Sequence, residues 1–297
     1  MPGIITTGNH PRALWPGVKA WFGRQYNEHN PEYPDLFDMD TSGRNYEELV
    51  ELTGFGLAPV KNQTESVKYD SETQGITVRV THVAYALGYM VSREELDDNL
   101  YEVVSKRRSR ALAFSFRQTK ENVGAAVYNR AFNSSYAGGD GKELCATDHP
   151  TLDGTQQNEL TTAADMSEAS LEDLVVLIMG ATNSKGLKIS LLPRSLHVPR
   201  QLWFDSNRIL KATSQVDTAT SNPNVLKMTN AFPEGIKLNH YFSDSDAFFV
   251  RTNCPEGMIG FQRIGIEFTQ DNDFDTMSAK AKGYERYSFS WGDFRTL

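Results

Sequence analysis

Cysteine is scarce in this 297-residue chain: there are two, Cys145 and Cys254, and they form no CxxC pair. That excludes a disulfide scaffold and a multi-cysteine zinc module, and fits two free thiols in a reducing compartment. Long apolar runs are missing too. The longest, Leu174–Met179, is far too short to cross a bilayer. The start of the chain, broken by Pro2, Pro11 and Pro16, lacks the continuous apolar stretch of a signal peptide. Both absences predict a protein that stays in the cytosol of the cell that makes it and engages no membrane. There is no basic excess. A net charge of −8 gives no general footprint for nucleic acid. It disfavours a sequence-specific DNA binder but not a protein that merely encloses DNA. GxxxxGK[ST], GxGxxG after a strand, HExxH and GxSxG are all absent, which lowers the prior for the common enzyme classes.

What the chain does have is enough apolar material, 39% hydrophobic and 11% aromatic residues, to bury a sizeable core. Its most informative stretch runs from Gly54 to Phe132, a long polar hairpin feeding a long helix. Ser92-Arg93-Glu94-Glu95 reads as a capping box. Apolar or small residues recur near helical spacing at Leu96, Leu100, Val103, Ala111, Phe114 and Ala125. A helix from Arg93 to about Arg130 would be about 57 Å long. A compact globule of this size is only about 50 Å across. The subunit is therefore expected to be flat or elongated, a shape suited to meeting neighbours.

Around that centre, Met1–Asn45 reads either as an extended arm that packs Trp15, Trp21, Phe22, Tyr26 and Tyr33 onto something else or as an irregular N-terminus tucked onto its own domain. Tyr46–Thr53 reads as a short helix closed by Gly54 and Gly56. The hairpin then pairs an outgoing strand, Leu57–Tyr69, with a return strand whose alternation changes phase near His82, a sign of a bulge or strong twist. Asn133–Thr162 reads as loop. Ser167–Asn183 is an amphipathic helix with Leu171, Leu174, Val175, Ile178 and Met179 inward. Lys188–Val198 is a buried strand region, and Pro199 opens a helix through Leu210. Ala212–Asn224 is an exposed loop. Ile236–Phe242, Ala247–Thr252, Phe274–Ala281 and Tyr284–Trp291 are strands, the last two flanking Gly283.

Three clusters invite a chemical reading. Cys145, Asp148 and His149 lie within five residues, but Cys-x-x-x-His lacks the second ligand pair of a zinc site, and a Cys–His dyad needs partners adjacent in space. A structural role is preferred. Lys106, Arg107, Arg108 and Arg110, followed by Arg117 and Lys120, offer contacts to phosphates, or a helix face with partners such as Glu102 and Glu121. Asp271, Asp273 and Asp275 alternate but lack the glycine and closing glutamate of a calcium loop. No catalytic, cofactor-binding or metal-binding residue is assigned.

The order of elements resembles the major capsid proteins of tailed bacteriophages, which share their fold with the herpesvirus shell protein. Glu143–Pro150 with Gly154 and Asn158 is similar to the loop after the spine helix in Mu-like head proteins. Pro193–Leu210, Asp271–Thr276 and Tyr287–Arg295 resemble later segments of the same family. The resemblance implies an α+β capsid fold: an N-terminal arm (1–45), a short helix and extended loop (46–91), a peripheral domain with the spine helix (92–164 plus 271–297) and an axial domain (165–270). It implies a non-enzymatic major capsid protein of the virion, assembled in the host cytoplasm. Its partners would be itself, in hexamers and pentamers, a separate scaffolding protein, a portal, a decoration protein, and packaged double-stranded DNA held non-specifically. The rival readings are an encapsulin-like nanocompartment shell and a hydrolase using Cys145 and His149.

Overall fold

The computed structural model describes residues 22–27, 30–97, 101–215, 222–273 and 277–297. A four-stranded sheet organises the chain, in the order β1-β10-β11-β4. Strand β1 (Asp38–Thr41) runs parallel to β10 (Met258–Asn272). Strand β11 (Ala279–Trp291) is antiparallel to both β10 and β4 (Val83–Val91). The short helices α1 (residues 22–26) and α2 (Tyr33–Leu36) precede β1.

Helix α4 (Tyr101–Asn129) packs on β11. Its buried positions are Ser109, Leu112, Ala113, Phe116, Arg117, Lys120, Glu121, Gly124, Ala125 and Tyr128, a regular i, i+3, i+4, i+7 stripe. Of the expected stripe, Ala125 is buried, Ala111 and Phe114 are exposed and so out of phase, and the side chains of Leu96, Leu100 and Val103 lie outside the described residues. The expected unbroken helix is also corrected. Helix α3 (Arg93–Asp97) carries Glu95, whose carboxylate pairs with Arg108 of α4 at 2.9 Å. Thirteen residues of straight helix would hold these groups about 20 Å apart along the axis, beyond the reach of the two side chains. Helix α3 therefore does not continue the line of α4, which alone spans about 44 Å. Of the capping box, the Glu95 amide donates to Ser92 Oγ at 3.4 Å.

The segment 46–53 is not a helix. Tyr46–Leu52 is strand β2, paired antiparallel with β3 (Gln74–Thr81) in a two-stranded ribbon. Exposed and half-buried residues alternate along β2, a period of two that tertiary pairing imposes on helix-favouring glutamates and leucines. The ribbon's outgoing strand is thus β2, not Leu57–Tyr69, and residues 53–73 between β2 and β3 contain no strand. The phase change at His82 marks a switch of sheets. Thr81 pairs with Tyr46, whereas Val83 pairs with Tyr287. His82 is buried at the switch, between Ser288 Oγ at 2.8 Å and Ser42 Oγ at 2.9 Å.

After α4, a small hairpin of β5 (His149–Thr151) and β6 (Gly154–Gln156) lies within the expected loop. Helix α5 (Glu168–Met179) starts at a Ser167–Ser170 capping box. Leu171, Val175 and Ile178 are buried, but Met179 is exposed. A second sheet has the order β8-β7-β9: β7 (Pro193–Pro199), β8 (Ile236–Asn239) and β9 (Phe249–Thr252). Pro199 closes β7 rather than opening α6 (Trp203–Lys211); α7 (Val225–Met228) follows. Leu171, Leu196, Val198, Leu226 and Phe232 build a core here separate from that of Leu36, Phe37, Tyr128, Met258 and Phe294.

The last two expected strands are one. Gly283 sits inside β11, where a Cβ would collide with the Phe116 ring, so the glycine lets α4 approach the sheet. Asp275 and residues 274 and 276 lie outside the described residues.

Candidate self-assembly surfaces

The segment 53–73 is closed at its base and bare beyond it. Thr53 and Thr73 zip the base: Thr53 N donates to Thr73 O at 3.1 Å, Thr73 N to Thr53 Oγ1 at 3.1 Å, and their hydroxyls lie 3.0 Å apart. Farther out, the Gly56 amide donates to Asp70 at 2.7 Å. That bond, then the Ser71 amide and Lys185, holds the Asp70 carboxyl below its ordinary range. The loop also touches the turn after α5. Lys185 Nζ reaches Asp70 at 3.3 Å and Ser71 O at 2.9 Å, and Ser184 Oγ donates to Glu51 of β2. Below the ribbon, a Cβ at Gly139 would meet Ile76 Cγ2 and Thr77 O at 2.7 Å, so a glycine is what allows β3 to lie on the loop after α4. Beyond these anchors, Phe55, Leu57, Val60, Val67 and Tyr69 point to solvent, Leu57 at 83%, Val60 at 90% and Tyr69 at 95% exposure. Five large apolar side chains on one irregular segment have no core to join in this subunit.

The basic run divides under burial. Arg117 and Lys120, read as possible phosphate contacts, lie inside the α4 stripe. Lys120 Nζ donates to Glu285 of β11 at 2.6 Å and to Gln262 of β10; Gln262 Nε2 and Tyr26 OH also donate to Glu285, at 3.1 and 3.3 Å. Arg117 pairs with Glu121 at 3.4 Å, the intrahelical partner the spacing suggested. Glu121 also accepts from the amides of Glu32 and Tyr33, tying the start of α2 to the helix. Burial pushes its carboxyl upward despite those bonds. Arg108 is taken by Glu95, while Arg107 and Arg110 are exposed. The side chains of Lys106 and Glu102 lie outside the described residues.

Cys145, Asp148 and His149 do not form a reactive centre. Both ring nitrogens of His149 are engaged, Nδ1 with Asp140 at 2.6 Å and Nε2 with Asn158 Oδ1 at 3.1 Å. The ring stacks on Phe294 at 4.0 Å. Asp148 turns to Lys142 at 2.5 Å. Burial drives the Cys145 thiol well above its ordinary pKa, the reverse of an activated nucleophile. Asn158 completes the node by donating to Leu144 O at 2.7 Å and Phe294 O at 2.9 Å, stitching the loop after α4 to the segment after β11. Asp140 was not legible as a member; eight residues of loop separate it from His149. Asp273 pairs with Lys280, and no group of three or more His, Cys, Asp or Glu able to hold a metal occurs among the described residues.

Among the described residues, the segment 53–73 is thus an apolar surface without cover in this subunit. The family model described as phage capsid protein matches residues 65–297. No curated protein matches the chain. Among solved structures, the capsid of the empty GTA particle is 8% identical at a TM-score of 0.55, covering 100% of this chain and 90% of its own. The virus-like particle from Pyrococcus furiosus is 8% identical at 0.52, covering 95% and 97%. The bacteriophage JBD30 capsid decorated with minor capsid protein trimers is 12% identical at 0.53, covering 81% and 100%. The likeness to these structures is one of fold, and with the family match it identifies the chain as a member of the phage capsid protein family, a major capsid protein that forms the shell of the phage head.

Proposed function

We propose that this capsid protein assembles as hexamers and pentamers into an icosahedral head around double-stranded DNA. The carrying observation is the bare segment 53–73, whose apolar side chains have no cover within the described residues, which supports contact with another copy. The separate core around β7, β8 and β9 supports an axial domain facing the capsomer axis. That domain starts near residue 165 and ends before Met258 rather than at 270, because β10 joins the sheet of β11. The peripheral domain then comprises α4, the loop to 164 and the strands β10 and β11, with the arm and loop at 1–45 and 46–91. DNA contact is non-specific and weak for the free subunit, since Arg117 and Lys120 are internal and the net charge is −8. A separate scaffolding protein and a portal complete the assembly, as does a decoration protein of the kind named for the JBD30 capsid. The role is structural rather than catalytic. The site is the virion, after assembly in the host cytoplasm.

A small closed shell without a genome is the second reading, favoured by the fold shared with the Pyrococcus furiosus virus-like particle. Negative-stain microscopy of the protein expressed with its scaffolding partner distinguishes the outcomes. DNA-scale heads support the proposal, uniformly small shells support the second reading, and discrete monomers under all conditions overturn both.

A further inference from the structure

The segment that carries α2 and β1 places an acid at every third position: Glu32, Asp35 and Asp38. Each meets a basic residue from the second sheet or the turn beyond it. Glu32 lies 2.5 Å from His240 Nδ1 and accepts from the His240 amide at 2.9 Å. Asp35 pairs with Lys237 of β8 at 2.9 Å. Asp38 pairs with Arg251 of β9 at 2.6 Å and lies 3.7 Å from Arg194 of β7. One short segment thus touches all three strands of that sheet. The acids themselves are fixed to the other side. The amides of Glu32 and Tyr33 donate to Glu121 of α4, Tyr128 of the same helix donates to Leu36 O at 3.0 Å, and β1 pairs with β10. The row is a seam between the part built on the four-stranded sheet and the part built on β7, β8 and β9.

Beneath the seam the contact is apolar. The rings of Phe242 and Phe249 lie 5.4 and 5.2 Å from the Tyr128 ring. Apolar contact is non-directional, so it holds the two parts together without fixing their angle. Ion pairs at hydrogen-bond distance are directional and fix it. The chain crosses between the parts at 157–167 and at 253–257, and neither crossing contains helix or strand. Glu256, in the second, has a φ of +53°, a left-handed conformation that a non-glycine residue holds at a cost. Short irregular crossings are where a change of angle is absorbed. The carboxylates of Asp35 and Asp38 are exposed, so salt reaches them. At the far end of the seam, Gln118 and Asn129 of α4 donate to Tyr241 at 3.0 and 3.1 Å, neutral bonds that salt does not screen.

We propose that Glu32, Asp35 and Asp38 form a salt-sensitive lock on the angle between the two parts. Closed, as here, it holds the subunit in one shape. Weakened, it lets the sheet of β7, β8 and β9 tilt on the ring contacts, tethered at Tyr241, while the crossings bend. The use of the lock rests on the shell reading: hexamers and pentamers set identical chains in unequal surroundings, and an adjustable angle fits one chain to both. The lock itself is a property of the free subunit.

The test uses the unassembled full-length chain, spin-labelled at Asn122→Cys on α4 and Met228→Cys on α7; both positions are exposed and the native thiols are buried. Double electron–electron resonance at low salt should give one narrow distance. In about 1 M NaCl, where the screening length falls to about 3 Å, the distribution should broaden or gain a second distance. Asp35→Asn with Asp38→Asn should do the same at low salt, raising the population outside the first peak about fivefold, the scale of two modest ion pairs. Circular dichroism checks that this variant is folded; if it is not, Asp35→Asn alone takes its place. An unchanged distribution in high salt overturns the lock. So does a change in high salt that the folded variant fails to reproduce, because other charges would then carry it. Either result leaves the shell reading standing. Failure to form shells overturns the shell reading, and the distances measured on the free subunit still decide the lock.

Discussion

Lys120 on α4 donates to Glu285 on β11 at 2.6 Å, and the two side chains are only 3% and 2% exposed. A buried pair of this kind is costly to break and cheap to replace whole. Glu285→Leu alone is expected to destabilise the unassembled subunit by about 3–5 kcal/mol, because it leaves an unpaired buried ammonium. Lys120→Met with Glu285→Leu should recover most of that loss. Urea midpoints of the three proteins check it; a double variant no better than the single would show that the hydrogen bonds of Tyr26 and Gln262, rather than the charge pair, hold this node.

His197 is fully buried in β7, its Nε2 2.8 Å from Ser195 Oγ. Burial first, then the charge of Arg251, lowers its pKa to about 3. The unfolded chain takes up this proton near pH 6.5. Between about pH 6.5 and 3 the unfolded state therefore binds more protons, and stability falls as pH falls. One such proton is worth about 1.4 kcal/mol per pH unit. His197→Gln should flatten the acid limb of the stability profile by that slope. Superimposable limbs for the two proteins would show that His197 titrates no differently on folding.

Removing 57–69 and joining the ends with a short glycine linker should leave a folded subunit that builds no stable head. The segment contributes little to its own core; Leu57, Val60 and Tyr69 are among its most exposed residues. A longer cut, from Lys61 to Arg79, would instead remove most of β3 and with it the partner of β2. Circular dichroism and sedimentation separate the outcomes. Normal yields of shells from the shorter chain would show that this segment is not an intersubunit element.

Both thiols should be silent in the native protein. Cys145 and Cys254 are buried, and burial raises both well above the ordinary thiol range. A thiol reagent at pH 8 should label neither until denaturant is added. Fast labelling of either residue in the folded subunit would contradict the packing described around it.

The sequence was legible where pattern and packing agree. Helix α5 announces itself through Ser167 and the Leu171, Val175, Ile178 spacing. Alternation at Glu285, Tyr287, Phe289 and Trp291 marks β11, and the phase change at His82 marks the sheet switch. It was illegible where the core is polar. The buried face of α4 includes Ser109, Arg117, Lys120 and Glu121, so hydrophobicity pointed to Ala111 and Phe114 instead. Strand β10 went unseen because irregularities between Gln262 and Ile264, and between Ile264 and Glu267, break its period of two. Strand β2 reads as helix because its partner is some 30 residues away. Asp140, the partner of His149, belongs to a glycine-rich stretch with no period at all.

The pairing of β4 with β11 also sets a clock on biosynthesis. Val91 leaves the ribosome about 190 residues before its partner Ala279. At about 5–20 residues per second, that is a wait of roughly 10–40 s. During this time β4 lacks the strand that completes its sheet, and Val91, which the finished fold buries, stays exposed. A nascent chain is thus unable to present the finished plate to its neighbours, however crowded the polysome. Release from the ribosome, and not merely concentration, becomes a gate on assembly, and slow translation through 92–278 prolongs the interval in which a chaperone has something to hold.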